Sequence, residues 1–263
     1  MIRLSALLMP AALCAAASFA LPSAADTELP VPHRVNAQLE SSLDLLESLA
    51  KDGDSGAQLT LGQYLSGTAK TGADYERARK LLESAAAQGK GEAYTELARM
   101  YLEGRGVQKD TGKAVSLLES AAAKNDPEAL YTIGMMRIEG KVLKKDPESG
   151  IRKLERAGKL GSEDAFLALG RIYEEGKVTR KNPEKAFANY LRASYSDRRE
   201  ATYHLGLLYI TGTGTEKDTD TGCGYLEDAL EHGNPLALEA LRKYCPPEGS
   251  LQAPAKNEGK AKR

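Results

Sequence analysis

Residues 91–126 alternate apolar and polar positions in the manner of two amphipathic helices around a glycine-containing loop. Ala93, Leu97, Met100, Tyr101 and Gly104 follow a 3.6-residue spacing on one face. The loop GRGVQKD then turns the chain, and Gly104 and Gly106 can take positive φ at little cost, as a helix end requires. Asp110 is placed to cap the second helix, its carboxylate accepting otherwise orphaned N–H groups. Ala114, Leu117, Leu118, Ala121 and Ala122 carry the stripe onward. One such hairpin cannot bury both of its helices, so the pattern demands neighbours of the same kind.

The neighbours follow at a step of 36 residues. From Ala93 the step gives Ala57, Ala129, Ala165, Ala201 and Ala237; from Leu97 it gives Leu61, Ile133, Leu169, Leu205 and Leu241. Gly104 leads to Gly140, Gly176 and Gly212, and Asp110 to Asp74, Asp146, Asn182 and Asp218. Leu118 aligns with Leu46, Leu82, Leu154, Tyr190 and Leu226, and Ala121 with Ala85, Ala157, Ala193 and Ala229. So many columns in one register define a repeat array. Its period exceeds the 34 residues of the tetratricopeptide repeat, and the extra length falls in the glycine loop.

These columns resemble the Sel-one-like repeat family, relatives of the tetratricopeptide repeats. Ala201, Leu205, Gly206, Tyr209, Gly212 and Gly214 match the family's first motif, and Asp110, Lys113, Ala114, Ala85, Ala86 and Gly89 match its later ones. The likeness covers residues 45–245; it departs from the pattern in having no Trp and in Val142 and Val178, which replace the second loop glycine. The resemblance implies an all-α fold, a right-handed α-solenoid of stacked helix-turn-helix repeats that binds other proteins, and it implies no reaction. Cysteine-rich members, linked to β-lactams, carry a bridging pair in each repeat; such pairs are absent here, so that activity is not carried over.

The chain divides accordingly. Residues 1–25 read as an export signal, with Arg3, an Ala- and Leu-rich stretch, and Ser23-Ala24-Ala25 before a cleavage point at Asp26. A retained anchor and lipidation at Cys14 are the alternatives; Pro10 interrupts the apolar run, and Leu13 stands where a lipobox needs a small residue. Residues 26–33 are an extended leader, with Pro30 and Pro32 excluding a helix, and residues 34–54 a half-repeat helix. Five repeats occupy 55–90, 91–126, 127–162, 163–198 and 199–234, with second helices starting near 74, 110, 146, 182 and 218. A capping helix spans 235–245, and residues 246–263 form a basic tail with almost no apolar content, expected to be disordered.

Composition adds exclusions. The formal net charge of −1 gives no global attraction to nucleic acid or anionic membrane, and no cofactor or metal motif is present. His33, His204 and His232 have no partner at ligand spacing and read as surface or capping residues. Gly212-Thr213-Gly214 with Lys217 mirrors Gly104-Arg105-Gly106 with Lys109 at the same repeat position, so a turn explains both better than a phosphate loop. Glu174-Glu175 diverge by about 100° on a helix and are no acid/base pair. Tyr101, Tyr173 and Tyr209 share one column, which reads as core packing.

Two features point to function and location. Cleavage of the signal leaves Cys223 and Cys245, ten and twelve residues either side of a turn at Gly233, nearly opposite in an antiparallel hairpin; a disulfide fits an oxidising compartment. The alternative is a buried thiol, since Val115, Ile151 and Phe187 share the Cys223 column. The stripe opposite the core face of each first helix, at 95, 99 and 102 and their repeats, is less polar than solvent alone requires. It offers Arg99, Tyr131, Met135, Arg171, Tyr203 and Leu207 as a protein-binding wall, Ile138 and Ile210 being divided between wall and inter-repeat core. The reading is an exported, non-catalytic scaffold for protein–protein interaction in a bacterial periplasm or cell envelope. A secreted host-interacting factor and an enzyme or enzyme subunit acting on cell-wall material are the competing readings.

The register has a direct test. Ala165 belongs to the column of small residues where helices approach most closely, so Ala165→Leu should overpack it and cost about 1–3 kcal/mol. An unchanged thermal unfolding curve would place the column outside the core.

Overall fold

Nine helix starts carry a side-chain cap, and these caps set the element boundaries. Asp54, Asp110, Asp126, Asp146, Ser162, Asn182, Asp218 and Asn234 each accept a backbone N–H from the first turn that follows, for example Lys113 N–H at 2.9 Å and Ala129 N–H at 2.7 Å. The computed structural model describes residues 42–195 and 199–246. Contacts divide the chain into Met1–Asp44, of which only 42–44 are described, and Leu45–Arg263. The expected export signal, the leader, Cys14, His33 and the tail from 247 onward lie outside the described residues.

The described helices are α1 (42–51), α2 (Ser55–Thr68), α3 (Gly72–Ala87), α4 (Gly91–Glu103), α5 (Thr111–Ala123), α6 (Pro127–Glu139), α7 (Pro147–Lys159), α8 (Glu163–Glu175), α9 (Pro183–Ser194), α10 (Arg199–Thr211), α11 (Thr219–Glu231) and α12 (Pro235–Tyr244). No strand occurs among the described residues. From α2 onward, each helix packs on the next in the chain, most closely within the hairpins α2–α3, α4–α5, α6–α7, α8–α9 and α10–α11. First helices also meet across repeats, as α2 with α4, α4 with α6 and α10 with α12. This near-neighbour packing is that of an α-solenoid.

The loops repeat as closely as the helices. Gly104, Gly140 and Gly176 end the first helices in the left-handed conformation, at φ of 75°, 73° and 72°. The backbone N–H of each second-helix cap then donates back to the first helix: Asp110 to the Tyr101 carbonyl, Asp146 to Arg137, Asn182 to Tyr173 and Asp218 to Tyr209, at 2.8–3.0 Å. The first repeat departs from this scheme. Its loop lacks the glycines, so α3 starts at Gly72 rather than near 74, with Thr71 as cap and Asp74 closing a capping box three residues on.

The core is a ladder of small residues. Ala57, Ala93, Ala129, Ala165, Ala201 and Ala237 are at most 4% exposed, and Leu82, Leu118, Leu154, Tyr190 and Leu226 fill the space beside them. In three hairpins a Cβ on the first-helix glycine would meet a second-helix carbonyl oxygen, Gly62 that of Ala78 at 3.4 Å, Gly134 that of Gly150 at 3.0 Å and Gly206 that of Gly222 at 2.9 Å; the equivalent positions in the other two are Ala98 with Ala114 and Gly170 with Ala186. In the third and fifth repeats both are Gly. A Cβ on Gly150 would stand 2.7 Å from the Gly134 carbonyl oxygen and 2.6 Å from Ile138 Cγ1. On Gly222 it would stand 2.8 Å from the Gly206 oxygen and 2.6 Å from Ile210 Cγ1.

The last hairpin is closed covalently. Cys223 in α11 and Cys245, the C-cap of α12, form a disulfide with a Cα–Cα distance of 5.8 Å. Both pack against the terminal core of Ile210, Leu226 and Ala240. No second helix follows α12 among the described residues, so this bridge holds a helix that packs mainly on one neighbour.

Two measurements test this packing. Gly222→Ala forces a Cβ into backbone and should destabilise by about 1–3 kcal/mol. Gly224→Ala, two positions along the same helix with open space around its Cα, should instead stabilise by up to about 1 kcal/mol; equal shifts in urea midpoint would refute the close approach. Reducing the oxidised protein, or Cys245→Ser, should cost at most about 3 kcal/mol for a loop of this size. The loss should appear first as faster amide exchange in α12.

Candidate functional site: the outward face of the first helices

Burial fixes which side of each first helix faces outward. Along α4, Ala93, Leu97, Ala98 and Met100 are buried, and so is Thr95, whose hydroxyl donates to Asp126 at 2.7 Å. Counting 100° per residue, the outward rows run through 92, 96, 99 and 103. This corrects the stripe read from the sequence at 95, 99 and 102: Thr95, Ser66, Ile138 and Ile210 are buried. A first helix packs on its own second helix and on neighbouring repeats, so its buried arc is wider than a one-sided helix would show. Ile138 and Ile210 go to the core for a further reason, since they cover Gly150 and Gly222.

The outward rows alternate in chemistry. Arg99 bridges to Glu128 in the next repeat and lies 3.3 Å from Glu96. Two repeats on, Arg171 bridges in the same way to Glu200. The equivalent positions in the third and fifth repeats are Met135 and Leu207, both half-buried. Burial raises the Glu96 carboxyl above its ordinary value, against the pull of Arg99.

A cleft of about 470 Å³ opens between α6 and α8. Tyr131, Met135, Leu167 and Ala168 form its apolar part, and Asp164, Arg171, Glu175, Lys177 and Glu200 its polar rim. Val178, one of the two departures from the loop pattern, supplies part of the wall. A second cleft, of about 570 Å³, is lined by Leu167, Arg199, Glu200, Tyr203, His204 and the 233–236 turn. Leu167 and Glu200 belong to both, so the two adjoin across the Arg171–Glu200 bridge. Of the six residues singled out in the sequence, Tyr131, Met135 and Arg171 come together in the first cleft and Tyr203 lies in the second. Leu207 packs beside Tyr203 against the terminal core, and Arg99 stands two repeats away from Arg171. Asp164, Glu200 and Leu236 escaped the sequence reading, although the acidic column Glu92, Glu128, Asp164, Glu200 was there to be seen.

Behind the second cleft lies a polar cluster that the sequence did not suggest. The Tyr190 ring is buried and stacks on His204 at 4.6 Å, and its hydroxyl donates to Glu174 at 2.6 Å. His204 Nδ1 lies 3.1 Å from the same carboxylate without the alignment of a hydrogen bond. Contact with His204, then the Tyr190 hydroxyl, holds the Glu174 carboxyl below its ordinary value despite burial. Burial, followed by the bond to Glu174, pushes the Tyr190 phenol well up, so it stays a donor. The cluster ties α8, α9 and α10 together. His204 is thus half-buried in a network rather than a surface residue, whereas His232 is the C-cap of α11, its Nδ1 lying 2.8 Å from the Asp228 carbonyl oxygen. Among the described residues no group of three or more His, Cys, Asp or Glu could hold a metal ion.

The tyrosine column packs as expected, with additions. Tyr173 is buried, while Lys113 and Lys185, two repeats apart, lie over the Tyr101 and Tyr173 rings at 4.3 and 4.9 Å. Tyr209 stacks on Tyr225 at 5.5 Å.

Stacked helical hairpins with an outward face of apolar clefts and ion bridges define an α-solenoid of the class that serves protein–protein interaction. The Sel1 repeat model matches residues 55–90, 91–126, 127–162, 165–197 and 199–234, and the chain belongs to the Sel1 repeat family. A Sel1 repeat protein from Oxalobacter formigenes superposes with a TM-score of 0.70 at 31% identity, over 78% of this chain and 59% of that one. A protective antigen present in uropathogenic Escherichia coli strains, displaying an SLR fold, gives 0.66 at 24% identity over 75% of this chain and 42% of its own. A putative Sel1 repeat protein from Klebsiella pneumoniae gives 0.52 at 23% over 77% and 98%. The chain therefore spans less than two thirds of the first two, and the last two likenesses speak to the fold alone. No curated protein matches the chain. Sel1 repeat proteins generally mediate protein–protein interaction and are generally non-catalytic.

Proposed function

We propose that this chain is an exported, non-catalytic scaffold that captures a protein partner on the outward face of its first helices, in a bacterial periplasm or cell envelope. The observation that carries the reading is the pair of adjoining clefts from α6 to α12, where Tyr131, Met135, Leu167 and Tyr203 leave apolar area half-exposed around the Arg171–Glu200 bridge. Aromatic residues, Met and Arg are the composition favoured at the centre of interfaces. The Cys223–Cys245 disulfide fits an oxidising compartment. Among the described residues no helix is long and apolar enough to cross a membrane.

Mechanism on this reading is surface presentation. The helices are rigid and mutually packed, so a partner meets a preformed surface and little ordering entropy is lost on its arrival. Affinity must come mostly from apolar area, because exposed ion pairs such as Arg171–Glu200 are worth only about 0–1 kcal/mol each.

Arg171→Glu with Tyr203→Ala should weaken partner capture by at least about tenfold, the effect of losing interface hot spots. Capture is read by crosslinking in intact cells and identification of the partner, with thermal unfolding as a check on the fold. Leu236→Glu, at a position already 56% exposed, is the companion variant that disturbs the second cleft without burying a charge. Undiminished capture by both folded variants would remove the wall from the mechanism.

A further inference from the structure

The ridge between the two clefts carries an imidazole as well as the Arg171–Glu200 bridge. His204 lines the second cleft, its ring flat on Tyr190 at 4.6 Å and edge-on to Tyr203 at 5.5 Å. Its two nitrogens face carboxylates on two different helices. Nδ1 lies 3.1 Å from Glu174 on α8, and Nε2 lies 3.7 Å from Glu200 on α10. The Glu200 oxygen that Nε2 approaches is the one that takes Arg171. The Glu174 oxygen beside Nδ1 is the one that accepts the Tyr190 hydroxyl.

This arrangement does not suit an uncharged ring. A neutral imidazole has one N–H and one lone pair, so at one edge the lone pair faces a carboxylate oxygen, whichever tautomer is present. Nδ1 is buried without a hydrogen-bond partner. An imidazolium presents an N–H at both edges, and the aromatic ring beneath it favours the positive charge. Cations and anions then alternate along the ridge, in the order Arg171, Glu200, His204, Glu174.

Histidine is the side chain whose charge ordinarily changes between about pH 5 and 8. Its neighbours keep theirs over that range. Glu174 on α8, which also feels Lys181, stays ionised, because His204 and Tyr190 hold its carboxyl low. Tyr190 on α9 and Tyr203 on α10 stay protonated, both phenols being pushed up chiefly by burial. The guanidiniums of Arg171 and Arg199 are permanent cations. Across the cleft, the 233–236 turn before α12 brings no ionisable side chain.

We propose that His204 is a proton-operated clasp on the ridge between the clefts. Uncharged, it offers an N–H to only one of its two carboxylates. Charged, it ties Glu174 on α8 to Glu200 on α10 and fixes the ridge in place. Its bearing on capture rests on the wall as the capture surface. A fixed ridge is a preformed one and loses less freedom when a partner arrives, so capture tightens as the imidazole takes up its proton.

Nuclear magnetic resonance of the isotope-labelled full chain tests the clasp. Between about pH 5 and 8, the backbone amides of 171–175 and 200–204 should shift in step with the His204 ring. The amides of α2, a helix with no carboxylate and no histidine, should not follow. His204→Gln should abolish the step in both helices. Glu174→Gln, which leaves the imidazole in place, should remove most of it from α8 while the ring still titrates. The partner identified by crosslinking should bind at least about threefold more tightly at about pH 5.5 than at about pH 7.5, a difference that His204→Gln removes. A ring titration that leaves the α8 amides unmoved, or an α8 step that survives His204→Gln, overturns the clasp. If affinity falls with Leu236→Glu yet is equal at the two pH values, the wall stands and proton control of capture is wrong. If the amides follow His204 while no wall substitution alters affinity, the clasp stands and the wall reading falls.

Discussion

The backbone approach between the two helices of each hairpin constrains the rest of this molecule. Where positions 134 and 150, or 206 and 222, are both glycine, the carbonyl of one helix fills the space that a Cβ of the other would need. Such an approach gains dispersion contacts along both backbones, but it leaves a groove beside each glycine that something must fill. Ile138 and Ile210, one turn further along the first helix, fill it. In the second and fourth repeats the second-helix partner is Ala114 or Ala186, and the filling position holds Leu102 or Glu174 instead. The identity of one surface-register residue therefore follows from a methyl group on the neighbouring helix.

That dependence gives the array two kinds of repeat in alternation. The second and fourth carry Arg99 and Arg171 bridging forward and Lys113 and Lys185 over a tyrosine. The third and fifth carry glycine pairs, isoleucine fillers and an apolar Met135 or Leu207 on the outer row. The polar bridges sit where the hairpin has alanine, and the open apolar stations where it has glycine. A uniform repeat would present the same chemistry every 36 residues; this one presents apolar and charged stations in turn.

The sequence carried most of the local structure, because local structure depends on residues near one another in the chain. Asp110 and its column cap second helices, Gly104 and its column end first helices, and Cys223 and Cys245 fall opposite one another across a turn. Position 74 shows how the same logic errs. Column alignment made Asp74 a cap, whereas Thr71 holds that role because the first loop lacks the glycines that lengthen the others. The outward stripe was harder to place because its angle depends on how many neighbours bury each helix, which hydrophobic spacing within one helix does not reveal. The His204–Glu174–Tyr190 cluster was illegible for a related reason: its members lie on three helices, and each taken alone has an ordinary surface explanation.

Near-neighbour stability also explains why the covalent bond sits where it does. In a solenoid each repeat is stabilised by its own fold and by the interfaces on its two sides. The first helix of a repeat buries its small column against its own second helix, yet α12 is followed by no second helix among the described residues, and Leu236 and Leu238 remain exposed on it. Its buried contacts come down to Ala237, Ala240 and what Leu241 and Tyr244 add against α10 and α11. A ten-residue helix with so little buried area would fray. Tethering its last turn to α11 through Cys245 removes the frayed states from the competition. It thereby keeps Leu236 in place as the far wall of the second cleft, so the bond that closes the array also shapes the surface proposed to bind a partner.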